Sequence, residues 1–167
     1  MSASDLVGGA PSPPYLARWF RCGLIAIALT VGCGEEDPVD ADGGRALLER
    51  VQSEGYRQWR RAPGWDSRLP SIGGGHGGQL DIYVNEAIAS LLDSGMSVAA
   101  LPVGSTIVKD VWNGAELHAI AIMDKREDGW YWAEYRASGE VLAAGHPHGC
   151  IACHQRGADY VRAFIVP

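Results

Sequence analysis

Apolar and polar positions follow two different periods along the chain, and the change of period divides it into elements. From Arg45 to Arg61 the spacing is helical: Leu48, Val51, Gly55 and Trp59 recur three or four residues apart, with charged residues between them. Tyr56 and Trp59 widen the apolar face as core aromatics, and Pro63-Gly64 ends the helix. The period then shortens. In Leu80 to Val84 apolar residues alternate with Asp81 and Tyr83, the pattern of a half-buried strand. Asn85 is placed to cap a short helix that runs to Asp93, with Ala87, Ile88, Leu91 and Leu92 inward. Leu101-Pro102-Val103-Gly104 is turn chemistry. Three further strands are predicted over Thr106 to Trp112, Glu116 to Met123 and Trp130 to Tyr135. The links Asn113-Gly114 and Asp124 to Gly129 are short, so these strands pair as an antiparallel meander, and Ser138-Gly139 is a further hairpin-type turn. The expected fold is α+β: a mainly antiparallel β-sheet with an N-terminal helix and a C-terminal segment that carries the chemistry.

The first part of the chain follows neither period. Cys22 to Val31 is an unbroken run of ten apolar or small residues behind the basic flank Arg18-Trp19-Phe20-Arg21. It is too short to cross a bilayer as a helix and fits the apolar core of a secretory signal. Thr30-Val31-Gly32-Cys33 closes it like a bacterial lipobox, in which Cys33 becomes the lipid-modified first residue. The alternative is ordinary cleavage nearby, with Cys33 removed or left free. Met1 to Leu16 is a polar, Pro-rich leader that a misassigned start codon would explain. Residues 1–33 therefore read as a signal peptide with a lipobox. Residues 34–44 (GEEDPVDADGG) read as a flexible acidic tether, and residues 45–167 as the folded domain. The expected location is the periplasm or outer cell envelope, with membrane contact only through the lipid. At 47% hydrophobic, 20% charged and a formal charge of −6, with no basic block, the chain carries no footprint for nucleic acid.

Near the C-terminus stands Cys150-Ile151-Ala152-Cys153-His154, the C-x-x-C-H attachment signature of a c-type haem. Each thiol can add across one vinyl group of a single porphyrin, and the next histidine then lies under the iron as proximal ligand. A thioredoxin-like pair would need a βαβ context that cannot follow here. A structural zinc site needs four ligands, and His146, His148, Cys150, Cys153 and His154 crowd into one short segment with no second C-x-x-C to close a tetrahedron. Of the four cysteines, Cys22 lies in the signal and Cys33 at the lipobox, so none remains for a structural disulfide. Export and haem c name the same compartment from independent signals.

Neither Met nor His follows His154, which separates this chain from the small helical cytochromes c, whose distal methionine lies downstream. The sixth iron position falls to an upstream residue, to water or to nothing. Upstream candidates are His76, His118, His146, His148, Met96 and Met123. His118 and Met123 have opposite parity in one strand and cannot both face the same side. His76, set among five glycines, reads as a solvated loop histidine or, more sharply, as a group facing the haem pocket. Pro147 suits His146 and His148 to a rim loop.

From Tyr56 to Val161 the chain resembles the cytochrome P-460 family, whose β-sheet fold is shared by the beta type of cytochrome c-prime. The matching residues are Tyr56 and Trp59 before Pro63-Gly64, His76-Gly77 before Ile82-Tyr83-Val84-Asn85, and Pro102, Gly104 and Ser105 before Ile107-Val108-Lys109-Asp110. Met123, Lys125 and Gly129-Trp130-Tyr131-Trp132 follow, then C-x-x-C-H with Gly157, Asp159, Tyr160 and Val161. The resemblance implies one covalently attached haem c with an open or weakly ligated distal face, on which hydroxylamine is oxidised or nitric oxide and related ligands bind. It also implies, for hydroxylamine-oxidising members, a lysine bonded to the porphyrin. The family's distal acid–base residues have no clear counterpart here; Glu134 and Asp110 read as solvent-facing strand residues.

The chain has two lysines, Lys109 and Lys125, and no others. Lys125 falls in the polar stretch Asp124 to Asp128 and is expected to be solvated. Lys109 shares a strand face with Ile107 and Val111. It either snorkels at a sheet edge or points into a pocket, where burial would favour a nucleophilic neutral amine. That makes Lys109 the candidate catalytic residue. Two classes of function stay open: an oxidoreductase acting on a small nitrogen species, and a non-enzymatic haem protein that binds gas or passes electrons to a redox partner protein.

Overall fold

The computed structural model describes residues 37–71 and 76–167. The signal, the lipobox with Cys22 and Cys33, the first residues of the acidic stretch and Gly73 to Gly75 lie outside the described residues. Among the described residues, no helix is long and apolar enough to cross a membrane.

The architecture is α+β. Helix α1 (Ala41–Ser53) leads through a 3₁₀ turn (Tyr56–Gln58) to the short strands β1 (Arg60–Arg61) and β2 (Leu69–Pro70). Strand β3 (Gln79–Val84), helix α2 (Glu86–Ser94), β4 (Thr106–Asn113), β5 (Glu116–Arg126), β6 (Gly129–Arg136), β7 (Val141–Gly145) and helix α3 (His148–His154) follow. The seven strands form one antiparallel sheet in the order β1-β3-β4-β5-β6-β7, with β2 also paired to β3. The meander from β4 to β7 is the one the turns predict. Asn113 pairs with Glu116 across Gly114, whose φ of 62° needs no side chain, and Arg126 pairs with Gly129.

Alternation along these strands builds two cores. Val108, Ile120, Ile122, Tyr131, Ala133 and Tyr135 face α1, where Leu47, Leu48 and Val51 cover them. On the opposite face Ile82, Ile107, Val111, Met123, Trp130 and Trp132 meet Ile88 of α2 and Val161 and Phe164 of the C-terminal segment. Cys150 and Ile151 of α3 pack against this second core.

Several expectations change at the boundaries. Helix α1 begins inside the stretch read as a tether. Asp40 caps it by accepting the Gly43 N–H at 2.9 Å, and the Asp40 N–H is bound by the Ala144 carbonyl at 3.1 Å. Gly44 is buried because a Cβ there would lie 2.8 Å from that of Ala144; the glycine lets α1 rest on β7. The helix does not continue to Arg61. Gly55 takes the left-handed conformation (φ 64°) and stops it, which turns Tyr56 into the core. Strand β3 is covered on both faces, so Asp81 and Tyr83 are buried instead of solvent-facing. Asn85 does stand at the N-cap of α2, but its side chain holds β4 instead: Oδ1 accepts the Thr106 N–H at 3.0 Å.

Candidate functional site

Helix α3 carries the C-x-x-C-H motif. Its cysteines stand three residues apart and so share a face. Cys150 is half-buried, and burial pushes its thiol upward. Cys153 is exposed, and the Arg162 guanidinium approaches its Sγ at 3.0 Å and its carbonyl at 3.3 Å. His154 closes the helix. Its Nδ1 lies 2.9 Å from the Tyr160 carbonyl. A carbonyl only accepts, so Nδ1 carries the proton and Nε2 keeps the lone pair. Trp132 holds the imidazole edge-on at 4.6 Å between ring centroids. Burial lowers the His154 pKa, which also favours the neutral ring.

Two contiguous cavities, of about 210 and 340 Å³, lie between α3 and the sheet. They share His76, Ile107, Lys109, Met123, Cys153 and His154 in their walls. Together they reach the size of a cofactor site, roughly 300–1,000 Å³. The walls are mainly apolar, and beside His154 the polar side chains of Lys109, Glu134, His76, Ser71 and Arg162 line one or both cavities. Lys109 points into the cavities, not into solvent at a sheet edge. Burial pushes its pKa down to about 8, against the opposing pull of Glu134 and Cys153. Glu134, expected to face solvent, lines the smaller cavity. Register places both in one cross-strand row, Lys109 opposite Ala121 and Ala121 opposite Glu134. His76 is no solvated loop histidine. Its ring lies 6.4 Å from that of His154, and burial, helped by Lys109, lowers its pKa to about 4. Its buried Nδ1 has no hydrogen-bond partner among the described residues; Glu134 Oε1 lies 3.9 Å away.

The other candidates separate from this group. Met123 lines both cavities. His118 is exposed and lines a neighbouring cavity of about 320 Å³ that also touches His76 and Glu134. Met96 is exposed, as are His146 before α3 and His148, which opens α3 instead of lying in a rim loop. His146 lies 3.5 Å from Asp128, and the His148 N–H donates to Asp37 at 2.6 Å. Asp110 is fully buried on the opposite face of the sheet, where its carboxylate accepts the Tyr56 hydroxyl and the Arg57 Nε, each at 2.7 Å. Lys125 is not solvated either. Strand β5 runs through it, and its Nζ meets Asp159 Oδ1 at 2.7 Å.

The donor set fits a covalently held haem. Two thiols on one helix face adjoin a mainly apolar cavity, and an imidazole with a free Nε2 stands beside them. A buried unpartnered histidine nitrogen lies in the same walls. Among the described residues, no cluster of three or more His, Cys, Asp or Glu side chains has the geometry to hold a metal ion unaided, as a zinc site would require. Sequence reasoning missed Glu134. Its parity with Trp130 and Trp132 was readable, but Tyr131 between them is apolar as well and hides the alternation. The chain matches no family model and no curated protein.

Proposed function

We propose that this chain is an exported mono-haem c-type cytochrome of the P-460 kind, which binds or oxidises small nitrogen species such as hydroxylamine or nitric oxide. Cys150 and Cys153 would hold the porphyrin by thioethers and His154 would ligate the iron through Nε2. Cys33 would tie the chain to the cell envelope by a lipid, and electrons would leave to a redox partner protein. The observation that carries this reading is the state of His154. Its Nδ1 proton is committed to the Tyr160 carbonyl, while the ring lines the same cavity as both thiols. A bound haem supplies a redox-active iron with an axial position for a small ligand.

The chain's own residues supply the rest. Ile107, Ala121, Met123, Trp132 and Ala133 exclude water from the cavity. Lys109 Nζ and the Glu134 carboxylate give its apolar wall a polar row on either side of Ala121. That row can orient a ligand that both donates and accepts hydrogen bonds, and a Glu134 oxygen can take a proton from its O–H or N–H group. Met123 and His76 in the same walls favour a second reading, electron transfer or gas sensing without turnover, if either acts as a sixth ligand.

The test is the absorption spectrum of the ferrous protein with and without nitric oxide or carbon monoxide. A spectrum that shifts on addition supports an open site, and oxidation of hydroxylamine with an electron acceptor then tests turnover. A spectrum unchanged by either gas marks two strong axial ligands and overturns the ligand-binding reading.

A further inference from the structure

The hydrogen bond that fixes His154 comes from strained backbone. Asp159 and Tyr160 have φ angles of 45° and 63°, the only positive values for non-glycine residues among the described residues. For a side chain as bulky as tyrosine this is an outlier, and it persists only where the surroundings over-determine it. Those surroundings converge on Asp159. Its carboxylate is 7% exposed and accepts from Lys125 Nζ at 2.7 Å and from the Leu101 N–H at 2.8 Å. The Trp130 indole N–H donates to the Asp159 carbonyl at 2.8 Å and lies 3.2 Å from its Oδ1. Three separate parts of the chain thus hold one residue. Gly157 lets the turn close, since a Cβ there would lie 2.1 Å from the Val161 carbonyl oxygen. What the turn presents is one acceptor, the Tyr160 carbonyl, 2.9 Å from His154 Nδ1.

We propose that Asp159, held by Lys125, is the positioning residue that sets the orientation and donor strength of His154 through the strained Asp159-Tyr160 turn. The inference rests on the reading of His154 as the iron ligand. An outer-shell acceptor on the second ring nitrogen raises the basicity of a ligating histidine. A more basic Nε2 favours ferric over ferrous iron. If the Asp159 anchor is released, the Tyr160 carbonyl is free to leave Nδ1, and the ferrous form gains.

The test uses the matured holoprotein with Lys125→Met, Lys125→Arg and Asp159→Asn. Lys125→Met is expected to shift the ferric–ferrous equilibrium toward ferrous by up to about tenfold, ~59 mV for one electron. It is also expected to lower the iron–histidine stretching frequency of the ferrous protein. Simple loss of a nearby positive charge would favour the ferric form, so the sign separates the two causes. Lys125→Arg should restore both readings toward wild type, and Asp159→Asn should move them in the same direction as Lys125→Met. Should Asp159→Asn fail to fold, Lys125→Met alone decides. A Lys125→Met protein with covalent, His154-ligated haem and wild-type potential and stretch overturns the proposal. So does a shift toward ferric. A wild-type protein without covalent haem sinks the underlying haem reading instead.

Discussion

Lys109→Met tests whether the cavity holds a buried amine. The lysine side chain lies in the walls of both cavities, and burial takes its pKa from 10.5 to about 8. Each tenfold weakening of proton binding corresponds to about 1.4 kcal/mol, so the charged form costs on the order of 3 kcal/mol. The sign follows from linkage. The folded-state pKa lies below the unfolded value, so between pH 8 and 10.5 the unfolded chain binds more protons and stability rises with pH. Below pH 8 the full cost is present; above 10.5 it is gone. Methionine fills similar space without a charge. In urea titrations of the matured protein, Lys109→Met should be more stable than wild type by up to about 3 kcal/mol below pH 8. The difference should shrink toward zero as pH rises through 10.5. A stability difference that does not change with pH refutes a titrating buried amine. Peptide mass then tells why: a Lys109 peptide joined through porphyrin to the Cys150–His154 peptide means that the amine is bonded, whereas separate peptides mean that it is solvated.

Other substitutions divide the site from the scaffold. His154→Ala should leave haem attached through Cys150 and Cys153 but change its spectrum, whereas His148→Ala should leave the spectrum unchanged, because His148 is exposed and absent from the cavity walls; conversion of a six- to a five-coordinate spectrum by His148→Ala contradicts this. Asp110→Ala should cost roughly 1–3 kcal/mol in chemical denaturation, since it leaves the buried Tyr56 hydroxyl without its acceptor while the half-exposed Arg57 can turn to solvent. Its haem spectrum should stay that of wild type, and a changed spectrum would place Asp110 in the site.

The meander was legible because strand period and turn chemistry agree from Thr106 to Arg136. The helix boundary was not, because Tyr56 and Trp59 keep the apolar spacing after Gly55 has already turned the chain. Charged residues misled most. Asp81, Asp110 and Lys125 look like solvent-facing positions, but the first two are buried and Lys125 is largely covered, each with partners distant in sequence: Arg61 and Arg68, Tyr56 and Arg57, and Asp159. Pairing of that kind leaves no local signal. Cys150, Cys153 and His154 stand out because C-x-x-C-H is a local pattern that can be read without the fold. Glu134 reaches the cavity only through the register of β5 with β6, and His76 and the Asp159 anchor take their places through contacts with residues distant in sequence.

The central claim is that Cys150 and Cys153 carry a haem by covalent bonds. The direct measurement is the intact mass and metal content of the protein expressed with a c-haem maturation system and then denatured. One haem per chain, retained through a denaturing gel and acid–acetone extraction, with one iron, is the predicted result. Haem that extracts into acid–acetone, or stoichiometric zinc with no iron, contradicts it.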